Sequence, residues 1–115
     1  MSQFTALNDL ERIARHAEIV ESARALSSRA SPFIDAVRRL ASLRFVDGVD
    51  HDQDFMLFVA LDSESDHIPP STARSLCSPS WLEQCDRQAD ELERHYRVEV
   101  DAACKKLIAR FSAAA

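Results

Sequence analysis

Three short constellations in this chain carry side chains capable of chemistry. Asp50-His51-Asp52-Gln53-Asp54 places carboxylates at alternate positions, a density of oxygen donors that suits a calcium loop. An EF-hand, however, needs glycine at the sixth loop position and a bidentate glutamate at the twelfth. Counted from Asp50, those places hold Phe55 and Leu61, so the segment fails as an EF-hand. Glu64-x-x-His67 has the spacing of di-iron helical bundles, but those proteins use two such pairs plus further glutamates. One pair is present, and Pro69-Pro70 breaks any helix through it. Cys77, Cys85 and Cys104 lack metal-binding spacing. A reactive cysteine needs a nearby base and an electropositive setting, which no local pattern here supplies. The cysteines read as reduced structural thiols of a cytoplasmic protein. The single glycine, Gly48, excludes glycine-rich phosphate loops. Neither a catalytic group, a metal site nor a cofactor is expected, and the chain does not read as an enzyme.

These residues sit on a chain whose composition favours helix. At 115 residues and 46% hydrophobic content it is long enough for one domain with its own core. One glycine is too few for the tight turns of a sheet, and alanine, leucine, arginine and glutamate are good helix formers. A first helix is expected from about Thr5 to Ser27, opened at Thr5 or by Asn8 with Glu11, and burying Leu10, Ile13, Ala17 and Val20. Ser31 followed by Pro32 announces a second helix, N-capped by the serine, which Asp47-Gly48 should end. Ile34, Val37, Leu40 and Ala41 form its apolar stripe. Asp50 or Asp52 can cap the run Phe55 to Leu61. Periodicity alone leaves that run open to strand or helix. No other segment alternates to pair with a strand, so a short central helix, surrounded by the others, is expected.

Ser71 to Leu76 should form one or two turns. A long last helix is then expected from Pro79 to Phe111, entered through a capping box of Ser80 and Glu83 with Trp81 as a core anchor. Leu82, Cys85, Ala89, Leu92, Tyr96, Val100, Ala103, Leu107 and Phe111 recur at spacings of three and four along it, and Glu93–Arg97 is among its favourable i,i+4 pairs. Core packing should concentrate on Phe55, Phe58, Val59, Leu92, Val100 and Leu107. The expected architecture is a single all-α domain spanning residues 1–115. It is a compact bundle of about four helices with a short apolar central helix and a long C-terminal one, whose end should project or meet a partner.

Charge is unevenly distributed along this frame. From Phe45 to Ala73 there is no lysine or arginine, while Asp47, Asp50, Asp52, Asp54, Asp62, Glu64 and Asp66 give that stretch −7 against −5 for the whole chain. Such a field draws in a basic partner and repels nucleic acid and anionic membranes. Arg38, Arg39 and Arg44 form a small basic cluster, outweighed by the acidic balance as a DNA-reading surface. No apolar run approaches the roughly 20 residues that span a bilayer, and the first residues show no signal-peptide pattern.

In size, helicity and acidity the chain resembles the small immunity proteins of bacterial toxin–immunity systems. The resemblance rests on the acids from Asp47 to Asp66 and the helical frame around Phe55 to Leu61, and covers general character without a diagnostic motif. It implies a stoichiometric inhibitor that binds a basic nuclease-type toxin domain through Asp47, Asp50, Asp52, Asp54, Asp62, Glu64 and Asp66. The competing class is a structural or regulatory protein that forms a homodimer through its C-terminal helix.

Overall fold

The computed structural model describes residues 9–45 and 52–112, all of them in helices and the turns between, with no strand among them. Four α-helices follow in order: α1 (Asp9–Ser27), α2 (Phe33–Ser42), α3 (Met56–Glu64) and α4 (Pro79–Ser112). Short 3-10 turns cover Gln53–Phe55 and Ser71–Leu76. The run Phe55 to Leu61 is helical, with Phe55 closing the first 3-10 turn. At 34 residues α4 is roughly 50 Å long. It therefore sets the long dimension of a molecule measuring 54 × 28 × 23 Å.

Local chemistry explains most of the boundaries. The α1 helix ends in a Schellman motif: the Ala30 amide donates to the Ala25 carbonyl at 2.9 Å and the Arg29 amide to that of Leu26 at 3.3 Å. Arg29 takes the left-handed position at φ 61°, where glycine is usual. In α2, Pro32 is itself the N-cap, with no side-chain hydrogen bond, so the cap expected from Ser31 is not made. This helix stops at Ser42, ahead of the expected Asp47-Gly48, which lies outside the described residues, as do Thr5 and Asn8. In α4 the capping serine is Ser78 in place of Ser80. Its Oγ accepts the Trp81 amide at 3.3 Å, which puts Pro79 at the first helical position where a missing N–H costs nothing.

The core lies where α1, α2, α3 and the C-terminal half of α4 meet. Phe55, Phe58, Leu61, Ile19, Leu26, Val37, Leu40, Val100 and Leu107 are all buried there. Each such side chain contributes about 1.5–3 kcal/mol of apolar transfer energy. Val59 and Leu92, expected in the core, are only half-buried. The α3 helix packs chiefly on α2 and is not enclosed by the others, since Ala60 is exposed and Leu57 half-buried. The expected α1 stripe also has the wrong phase. The buried residues are Ile19, Ala23 and Leu26, while Leu10 and Ile13 face outward. The far end of α4 does not project, because Leu107 and Phe111 are buried against α1 and the Phe55 turn. Trp81 stays partly exposed at the start of α4, with its ring 6.3 Å from that of His67.

Candidate functional site

The acids singled out in the sequence divide into separate groups. Asp47 and Asp50 lie outside the described residues. Asp52 is the N-cap of the 3-10 turn leading into α3, its Oδ1 accepting the Asp54 amide at 3.0 Å. It is also gripped by Arg110 from the last turns of α4: Nη1 donates to Oδ1 at 2.8 Å and Nη2 stands 2.8 Å from Oδ2. The same Nη1 donates to Asp54 at 3.0 Å. The Asp52 side chain is 9% exposed, so it is not the free loop carboxylate that sequence reasoning expects. Hydrogen bonding to Arg110 holds its carboxyl below the ordinary carboxylate range, against the opposing effect of burial. Arg110 is in turn pushed above its usual value by those two acids, and its guanidinium lies 4.6 Å over the Phe111 ring.

At the other end of α3 two of the three acids are left open. Asp62 stands 3.6 Å from Arg38, whose guanidinium is mainly occupied in donating to the carbonyls of Ser65 and Ile68 at 2.7 and 2.6 Å. This cation thus caps the C-terminal end of α3, with Ser65 buried beneath it. Arg39 pairs with Glu18, and Arg44 bonds the Ala41 carbonyl and lies over Phe45. The basic residues of α2 and of the turn after it are spent within the fold. Glu64, the last residue of α3, and Asp66, in the turn after it, are exposed and make no side-chain hydrogen bond or ion pair among the described residues. The two acidic groups are separated by the length of α3, about 13 Å of helix.

Glu64 forms one wall of a groove of about 450 Å³ that sequence reasoning missed. His67 shares that wall, hydrogen-bonded to Gln88 of α4. Opposite lie Gln88, Glu91, Leu92, His95 and Tyr96 of α4, with the His95 ring edge-on to Tyr96 at 4.7 Å. Leu92 and Tyr96 give the groove an apolar lining, while Glu64 and Glu91 bring carboxylates from two helices to it. The one available signal was the spacing of Gln88, Glu91, Leu92, His95 and Tyr96, which puts all five on one helix face. Nothing local indicated that Glu64 and His67 would come to meet them.

The remaining candidate chemistry is quiet. Cys85 and Cys104 are buried, and burial raises both thiols, Cys104 to about 12, which disfavours the nucleophilic thiolate. Cys77 is half-buried, its Sγ 3.6 Å from the Ala73 carbonyl. Among the described residues no group of three or more His, Cys, Asp or Glu side chains is arranged to hold a metal ion. No described helix is long and apolar enough to cross a membrane. Compared with protein-family models, with curated proteins and with solved structures, the chain matches none.

Proposed function

We propose that the chain is a protein-binding domain that takes a basic partner on the face made by Glu64, Asp66 and Glu91. The observation that carries this reading is the pair of unshared carboxylates, Glu64 and Asp66, beside a groove with an apolar lining. Open carboxylates steer a cationic protein toward the surface and raise its association rate. The groove then suits an entering lysine or arginine, whose methylenes cover Leu92 and Tyr96 while its head reaches Glu64 and Glu91. Asp52 and Asp54 have a smaller part in this, because Arg110 already meets their charge. The finer reading is an immunity-type inhibitor that neutralises a basic nuclease toxin domain, in keeping with the size, helicity and acidity of the chain.

The test begins with affinity capture from the native host, followed by binding measurements with the purified partner at several salt concentrations. Glu64→Gln, Asp66→Asn and Glu91→Gln together should weaken the complex by about tenfold or more and flatten its salt dependence. Asp52→Asn with Asp54→Asn should affect binding less. Inhibition of a nuclease activity in that partner would support the finer reading. Salt-independent binding that ignores the triple substitution would refute the interface.

A further inference from the structure

The α1 helix carries two apolar faces, and only one of them is buried in the fold. Ile19, Ala23 and Leu26 are buried on the side turned toward α2 and α4. Leu10, Ile13, Ala17 and Val20 stand on another side, with Leu10 78% and Ile13 59% exposed. Ala17 is also exposed and Val20 half-buried. At 3.6 residues per turn, Leu10, Ala17 and Arg24 fall within about 20° of one line along the helix. Leu26 lies on the opposite side of the helix from them. The series Leu10, Ile13, Ala17, Val20, Arg24 alternates spacings of three and four, the rhythm of a seam between two helices. Beside it runs a groove of about 450 Å³, where Ile13, Ala17 and Val20 meet Phe111 from the end of α4.

We infer that this face receives a second copy of the chain, α1 packing antiparallel on α1 with Ala17 at the crossing point. Charge complementarity selects both the occupant and its direction. Asp9 and Glu11 lie in the first turn of α1 and Arg24 in its last. Antiparallel packing about Ala17 sets Leu10 of one copy opposite Arg24 of the other, and Ile13 opposite Glu21. The arginine's methylenes then cover the leucine and its guanidinium reaches Asp9. Parallel packing would instead set Arg24 against Arg24 and Glu21 against Glu21. A small residue at the crossing lets the two backbones approach closely, and a two-fold contact of this kind buries the same patch on both copies. A partner of one charge sign fits less well, because the stripe is apolar along its middle and carries opposite charges at its ends. The groove beside Glu64 draws its walls from α3 and α4 and not from α1. This dimer therefore stands or falls separately from the binding of a basic partner.

Light scattering coupled to size exclusion, taken into the high-micromolar range, should show the dimer. Ile13→Glu should leave it monomeric with an unchanged circular dichroism spectrum, since Ile13 lies outside the core. Ala17→Cys in a Cys77→Ser background should form a disulfide-linked dimer under oxidised glutathione. Ala102→Cys, on an exposed part of α4, should not. Arg24→Glu should weaken association about tenfold, and adding Asp9→Lys should restore it. A chain that stays monomeric throughout and gives no Ala17→Cys cross-link overturns the inference, whether solvent, another protein or the first eight residues of the chain cover the stripe. A dimer indifferent to Ile13→Glu and to the charge exchange overturns it equally.

Discussion

At the N-terminal end of α3, Asp52 and Asp54 give their charges to Arg110, whereas at its C-terminal end Glu64 and Asp66 keep theirs in solvent. The side chains are of the same kind, and less than 15 residues separate the two groups along the chain. What differs is the neighbour each meets. Near Asp52 the last turns of α4 bring in an arginine over Phe111, in a corner already closed by Phe55 and His16. Near Glu64 the middle of α4 offers another acid, Glu91, and a histidine, His95. The first arrangement fastens the loop before α3 to the bundle, and the second leaves a negative face available for binding. A run of acids in a sequence therefore gives total charge, while the fold decides how much of it a partner can use.

The largest expected effect separates the packing of these two ends. Leu107 is fully buried beneath the closed end and Leu92 half-buried beside the open groove. Leu107→Ala should cost about 2–5 kcal/mol, as deletion of a core leucine usually does. Leu92→Ala should cost only about 1–2 kcal/mol, because less of its surface leaves water on folding. Urea denaturation of the two variants measures the difference. Equal losses would mean that the groove is as tightly packed as the core and is no groove in solution.

Next in size is the clamp itself. Arg110→Met keeps the aliphatic stem but removes the donors, leaving a nearly buried Asp52 without its cation. The expected loss is about 1–3 kcal/mol at neutral pH, the usual consequence of stranding a hydrogen-bonded charge. An unchanged denaturation midpoint would place Asp52 in water, and the distinction between the two ends would disappear.

Acid titration sharpens the same point. The Asp52 carboxyl is held below its ordinary value in the folded chain, so folding favours the ionised form. Its contribution is fully present above the unfolded value of about 3.9 and is lost as pH falls through the lower folded value. Thermal unfolding followed between about pH 5 and 2 should show this loss in the native chain and less of it in Arg110→Met. Identical acid limbs in the two proteins would assign the acid sensitivity elsewhere.

The helices were legible in the sequence because their signals are local. Pro79 after Ser78, the proline at 32 and the three-four stripe of α4 each fix a short stretch of backbone without reference to distant residues. Contacts between helices were not legible. Arg110 lies 58 residues from Asp52, and no periodicity reports that they meet. Both faces of α1 are apolar, so pattern alone could not choose between Leu10 with Ile13 and Ile19 with Leu26 as the buried set. The groove was invisible for the same reason, since Glu64 and His67 come to α4 only through the chain reversal after α3. Sequence reasoning therefore found the acids of the candidate site but not the Glu91 face opposite them, nor the arginine that removes two of them from use.

The smallest expected effect is the one that tests the open end most directly. Glu64→Gln together with Asp66→Asn removes two charges that make no hydrogen bond or ion pair among the described residues. Substitutions of this kind generally fall within about 0.5 kcal/mol of no change. Here the sign should lean toward stabilisation, because removing the Glu64 charge relieves repulsion with Glu91 lining the same groove. The gain should shrink as salt is added, since these side chains are exposed and their repulsion is screened over about 10 Å at 0.1 M. Paired urea titrations at low and high salt read both the sign and the screening. A loss above about 1 kcal/mol would mean that Glu64 and Asp66 are held by the fold as Asp52 is. Their charge would then not be free for a partner, and the basic-partner interface would have to be sought on another face.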